Sequence, residues 1–113
     1  MEDATIETVG NVSVLTLLGT FLDASNAPAL KQQVAGLVER SSRLVLDLSR
    51  VEFVDSSGCG AILTCLRQVN GVAGKITVCG VNGPVRALFE LVRMNRILDI
   101  YDAREAAIDA AGK

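Results

Sequence analysis

Residues 43–60 read Arg43-Leu44-Val45-Leu46-Asp47-Leu48-Ser49-Arg50-Val51-Glu52-Phe53-Val54-Asp55-Ser56-Ser57-Gly58-Cys59-Gly60. The run from Arg43 to Leu48 is nearly continuous in apolar residues, and after Ser49 and Arg50 it resumes with Val51, Phe53 and Val54. That pattern predicts a strand buried on both faces and continuing to Val54. Beyond Gly60, Ile62, Cys65, Leu66 and Val69 recur at helical spacing, and Asn70-Gly71 is a stop signal. A helix therefore starts at Asp55-Ser56-Ser57-Gly58, directly after a buried strand.

Outward from this junction the alternation continues. Thr5 to Thr8 reads as an edge strand, and the β-branched, apolar segment Val12 to Leu18 as a second strand ending at Gly19. From about Ser25 to Glu39, Ala27, Leu30, Val34, Leu37 and Val38 make one face of an amphipathic helix, with Lys31, Gln32 and Gln33 opposite. Lys75 to Cys79 is a strand, and Pro84 opens a helix through Val85, Leu88, Leu91 and Val92. The stripe Leu88, Leu91 and Val92 reads as core, and Met94 just past it as an addition to an exposed apolar patch. Ile97 to Tyr101 is a last short strand and Ala103 to Ala111 an alanine-rich helix. Strands alternating with helices through short connections predict an α/β fold: a mixed, mostly parallel sheet of four or five strands with about four helices, in one domain spanning residues 1–113.

Composition removes several function classes. There is no histidine, so Ser-His-Asp and Cys-His catalysis and the commoner zinc sites are excluded, and no catalytic or metal-ligating set is expected. The 11 Lys and Arg against 13 Asp and Glu give a net charge of −2, with the cations scattered, so no nucleic-acid footprint is present. Cys59, Cys65 and Cys79 include no CxxC pair, which suits a reducing cytoplasm. No apolar run approaches the ~20 residues of a membrane span, so no membrane association is expected. Neither a phosphate-cradling glycine loop nor any other cofactor motif is present, so no cofactor is expected and the chain reads as a non-enzyme.

In an open α/β sheet, functional groups gather where the carboxyl ends of parallel strands lead into helix N-termini. Asp23 and Asp55-Ser56-Ser57-Gly58 stand at two such positions, which places Asp23 and Ser56 on one rim. The motif has a plain reading: Asp and Ser cap free N–H groups, Ser57 adds a secondary hydrogen bond, and Gly58 and Gly60 permit close packing. The same physics also suits a seryl phosphate, because a helix N-terminus offers unpaired donors and a positive dipole end. On local pattern alone the capping reading is favoured, because capping sequences are far commoner than phosphosites.

Over nearly its whole length the chain resembles the stand-alone anti-sigma factor antagonists of the STAS family. The resemblance is carried by Gly19, Asp23, Ala27, Leu30 and Lys31, then Leu46-Asp47-Leu48-Ser49 leading to Phe53-Val54-Asp55-Ser56-Ser57-Gly58-Cys59-Gly60, and finally Lys75-Ile76, Cys79, Pro84, Val85, Leu88 and Phe89. Cys59 stands where that family usually has leucine. The resemblance implies that Ser56 accepts phosphate from an anti-sigma factor that is also a serine kinase. It further implies that Asp23, Asp55, Ser57, Gly58 and Cys59 surround the docking partner, and that a Ser/Thr phosphatase resets the modified form. The unphosphorylated form would bind the kinase and free its sigma factor.

Two other readings compete with this one. A receiver domain phosphorylated on an aspartate would use Asp55, yet Gly10 to Leu22 contains no acidic residue for magnesium and the only lysine after Lys75 is Lys113. A STAS scaffold subunit of a transporter needs no phosphorylatable serine, so the intact Asp55-Ser56-Ser57-Gly58 motif argues for switching.

Overall fold

The computed structural model describes residues 4–113. Its central sheet has five strands in the order β1-β2-β4-β6-β7, formed by Ala4–Val9 (β1), Val12–Leu17 (β2), Arg43–Asp47 (β4), Lys75–Cys79 (β6) and Asp99–Tyr101 (β7). β1 runs antiparallel to β2 and every other pairing is parallel, with Leu15 opposite Leu46 and Leu46 opposite Val78. Four helices connect and cover the strands: Ala27–Leu37 (α1), Ser56–Gly71 (α2), Gly83–Leu91 (α3) and Arg104–Gly112 (α4). The expected α/β class and mostly parallel sheet are therefore what the chain forms.

The period-2 alternation of the central strands sorts their side chains between two layers. Leu15, Leu17, Leu44, Leu46, Ile76 and Val78 share one core with α1, α2 and α3. Val12, Val14, Val45 and Cys79 point to the other face, where Ala107 and Ala111 of α4 lie against them. Two polar ties hold α4 there: Thr77 Oγ1 donates to the Ala107 carbonyl (2.8 Å) and Arg43 donates to the Ala111 carbonyl (2.9 Å). Arg104 adds ion pairs to Glu7 (2.7 Å) and to the buried Asp47 (3.4 Å). All three cysteines are free and buried.

The structure corrects three expectations. The strand read through to Val54 stops at Asp47, whose carboxylate accepts from the Ser49 N–H (2.9 Å) and turns the chain. That turn packs against Gly80, whose φ of +74° and contact with Ser49, 2.7 Å from any added Cβ, both require glycine. The chain resumes as a two-residue strand, Phe53–Val54 (β5), which leaves the main sheet and pairs in parallel with Phe21–Leu22 (β3). Second, Leu88, Leu91 and Val92 do not form a core stripe: Leu91 is 79% exposed and Val92 49%, Leu88 is partly buried, and α3 instead buries Val85 and Phe89. Third, Met94 is buried, because Arg93 takes a left-handed conformation and the short 3₁₀ turn Met94–Arg96 swings the side chain inward.

Candidate functional site

The β3–β5 ladder builds the site. Its register sets Phe21 beside Phe53 and Leu22 beside Val54, so the next residues, Asp23 and Asp55, emerge together at one end. The Thr20 carbonyl accepts from Glu52 (2.7 Å) and Phe53 (3.2 Å), and the Asp55 N–H donates to the Leu22 carbonyl (3.2 Å). Asp23 and Ser56 thus share one rim.

At that rim Asp55 is the N-cap of α2, its carboxylate accepting from the Gly58 N–H at 2.9 Å. Capping is therefore assigned to Asp55, and Ser56 and Ser57 in the first turn stand exposed to solvent. Gly58 is buried because the helix start presses onto the ladder: an added Cβ would fall 2.8 Å from Val54 Cγ1 and closer still to the Leu22 carbonyl oxygen. Gly60, also read as a packing glycine, has nothing within 4 Å of an added Cβ; it is exposed, and close packing rests on Gly58 alone of the two.

Asp23 lies in a self-braced loop. Its carboxylate accepts from the Ser25 hydroxyl (2.6 Å) and N–H (2.9 Å), and these bonds hold its pKa below the ordinary value of 3.8. Asn26 completes the brace by accepting from the Asp23 N–H and donating to the Phe21 carbonyl, each at 2.9 Å.

On the other side of Ser56 an apolar groove of about 320 Å³ runs between α2 and α3. Asp55 and Ser56 stand at its mouth, Cys59 and Leu63 line one wall, Leu88 and Val92 the other, and Met94 closes the floor. Cys59 is a buried wall residue, and burial, with a smaller contribution from the Asp55 carboxylate, pushes its thiol pKa up. Leu88 also lines a second hollow with Glu52, Phe53 and Pro84, which makes the apolar strip continuous with the exposed Phe21–Phe53 pair. Sequence reasoning placed Asp23, Asp55, Ser56, Ser57, Gly58 and Cys59 at this end. It missed Phe21, Phe53, Leu88, Leu91 and Val92 as surface; the available signal was an α3 apolar on more than one face.

Ser57 lines a different hollow, between α1 and α2, with Lys31, Thr64 and Arg67 beside Ala27, Pro28 and Ala61. Among the described residues no cluster of three or more His, Cys, Asp or Glu could hold a metal ion, and no helix is long and apolar enough to cross a membrane.

The strand order, the helices on both sheet faces and the serine-bearing start of α2 define a STAS-type α/β domain. The STAS domain model matches residues 3–107, and the chain belongs to that family. It is similar to the anti-sigma F factor antagonist of Paenibacillus polymyxa, with 34% identity over 83 residues, 72% of this chain and 71% of that protein. The crystal structure of an anti-sigma factor antagonist from Mycobacterium paratuberculosis matches with a TM-score of 0.85 at 28% identity, over 97% of this chain and 93% of the other. The anti-sigma factor antagonist SpoIIAA in its unphosphorylated form shares the fold with a TM-score of 0.72 at 24% identity, over 95% of this chain and 96% of that one. Its Bacillus structure in the phosphorylated form, also 24% identical over 95% and 97%, gives 0.73.

Proposed function

We propose that this chain, as one STAS unit in the cytoplasm, is a non-enzymatic anti-sigma factor antagonist that switches partners through phosphorylation of Ser56. The observation that carries the reading is the setting of Ser56: exposed, in the first turn of α2, at the mouth of an apolar groove none of whose lining residues is a cation. A serine kinase that is also an anti-sigma factor docks over this rim while Ser56 is unmodified, and the bound sigma factor is released. Phosphate adds roughly −1.5 to −2 charge at the groove mouth beside Asp55 and near Asp23, where a closing partner would desolvate it against like charge. The helix N-terminus tolerates that phosphate, so the modification acts on binding and not on folding. A Ser/Thr phosphatase returns the chain to its binding form.

The test is a pull-down with the purified chain followed by incubation of the captured ATP-binding kinase with Mg-ATP. Mass spectrometry is expected to find one phosphate, on Ser56, and the phosphorylated chain to lose affinity for the kinase. Phosphate on another residue, or undiminished affinity after modification, overturns the switch.

A further inference from the structure

The two edges of the central sheet are built differently. β7, at one edge, is three residues long, opens on the exposed Asp99 and follows the 3₁₀ turn Met94–Arg96. Short length and charge of this kind keep an edge from pairing with another chain. β1, at the other edge, has six residues, Ala4–Val9, with no Pro or Lys and no bulge in its register with β2, and Thr5 to Val9 are all exposed. Among the described residues no strand pairs with its outer side. Ile6 is 37% exposed and Val9 41%, and the single charge on the strand, Glu7, is neutralised within the chain by Arg104 at 2.7 Å. Nothing on β1 repels a further strand.

The hairpin fixes which backbone groups face outward. Gly10 at φ +61° and Asn11, whose φ is not positive, form a two-residue loop of type II′, so Val9 and Val12 close it as a pair that exchanges both hydrogen bonds. Such pairs alternate along an antiparallel ladder. Val9, Glu7 and Thr5 therefore direct their N–H and C=O groups to β2, and those of Thr8, Ile6 and Ala4 point out of the sheet edge.

We infer that β1 is the pairing edge for a second copy of this chain, joined antiparallel about a twofold axis at Ile6. Residues that face each other across a ladder share a side of the sheet, so a twofold axis between identical strands must pass through a residue and not between two. Centred on Ile6, the two Ile6 side chains meet and Ala4 faces Thr8, so the outward groups of all three find partners. On the other side of the sheet Thr5 faces Glu7, and the two Glu7 carboxylates stay diagonal, each held by its own Arg104. A centre at Glu7 fails twice, because the carboxylates would face each other and the outward groups belong to the alternate residues. Any extended segment could use those outward groups, but the match of this strand with itself under symmetry selects the same chain. The axis turns one sheet end for end in a continuous sheet with five strands from each copy. The carboxyl ends of β4 and β6 then point in opposite directions, and each Ser56 rim stays open to its own partner.

Sedimentation of the purified chain tests the inference, with amide hydrogen exchange by NMR reading the register. A contact through one strand is below the standard interface size, so a dimer with Kd on the order of 100 µM is expected. As concentration rises through that value, the amides of Ile6 and Thr8 should gain protection, whereas those of Thr5, Glu7 and Val9, already bonded within the hairpin, should not change. Ile6→Lys sets like charges opposite each other and is expected to weaken the dimer at least about tenfold. Thr8→Pro removes an outward N–H and leaves the hairpin bonds in place, so it should weaken the dimer by a similar factor and melt close to the wild type. Ile97→Glu, at an exposed apolar position just before β7 on the opposite edge, should leave Kd unchanged. A chain still monomeric at about ten times the expected Kd overturns the proposal. A dimer without the alternating protection, one that survives both β1 variants, or one that Ile97→Glu dissolves overturns it equally. Alternating protection that arises in a monomeric chain only when the captured kinase is added assigns the edge to that protein, and the second copy falls.

Discussion

At the scale of single residues, the two glycines of Asp55-Ser56-Ser57-Gly58-Cys59-Gly60 meet opposite surroundings, and substitution should separate them by sign. Gly58→Ala drives a methyl into the Leu22 carbonyl and Val54 Cγ1, and backbone on one side leaves little to yield. Overpacking of this kind costs roughly 1–3 kcal/mol, more than the gain of up to about 1 kcal/mol in helix propensity. Gly60→Ala meets open space and retains only the propensity gain, so it should stabilise by roughly 0.5–1 kcal/mol. Urea denaturation of both variants decides this, and two shifts of the same sign would contradict the packing described. Asp23 offers a second residue-scale prediction. Its pKa is lowered by the Ser25 hydroxyl and then by the Ser25 N–H, so the stabilisation it gives is present above pH 3.8 and is lost as pH falls through the depressed folded value. Carbon-detected NMR titration should place its midpoint below 3.8, and Ser25→Ala should move it back toward that value; an unmoved midpoint would assign the depression elsewhere.

At the scale of elements, the parts legible in the sequence were those with a long period. Val12 to Leu17 and Lys75 to Cys79 show their strand pattern over five or six residues, and α2 shows its start through Asp55 and its stop through Asn70-Gly71. The β3–β5 ladder was not legible, because two-residue strands such as Phe21–Leu22 and Phe53–Val54 carry no alternation. Its partner could not be read from spacing alone either, since it forms between segments 32 positions apart in register. The misread face of α3 has a different cause. Val85 and Phe89 make one apolar stripe and Leu88, Leu91 and Val92 another, so periodicity leaves two candidate cores and tertiary packing chooses between them. The alanine-rich α4 was foreseen as a helix, but its task, covering the second face of the sheet, follows from the small size of Ala107 and Ala111 against Val14 and Val45. That task predicts a contrast within one turn. Ala107→Glu buries an unpaired carboxylate against the sheet and should cost on the order of 3 kcal/mol or more, whereas Ala106→Glu, on the exposed side, should be nearly neutral. Thermal melts of the pair suffice, and equal melts would mean that α4 is not held where the structure places it.

At the scale of the whole molecule, the sheet divides the protein into a stabilising half and a signalling rim. Both faces are sealed, one by α1, α2 and α3 and the other by α4, and Ser56 stands solvent-exposed at the start of α2 while Val54 and Cys59 on either side of it join the core. What Ser56 shares with the rest of the chain is the N-terminal turn of α2 and the mouth of the α2–α3 groove. A charge placed there therefore acts through two terms of opposite sign. Within the free protein it meets the positive end of a 16-residue helix, an interaction worth about 0.3 to 1 kcal/mol of stabilisation. Against a docked partner it is an added anion beside Asp55, taken out of water with no cation in the groove lining to receive it. Ser56→Asp should consequently melt at or slightly above the wild-type temperature while binding the kinase at least about tenfold more weakly. Ser56→Ala, which adds no charge and removes a small exposed hydroxyl, should bind within about threefold of wild type, because surface substitutions away from packed features shift energies by about 0.5 kcal/mol. Differential scanning calorimetry and isothermal titration on the same preparations read both terms. A Ser56→Asp chain that loses stability along with affinity would mean that the serine holds the fold together, and the separation of control from folding at this rim would fail.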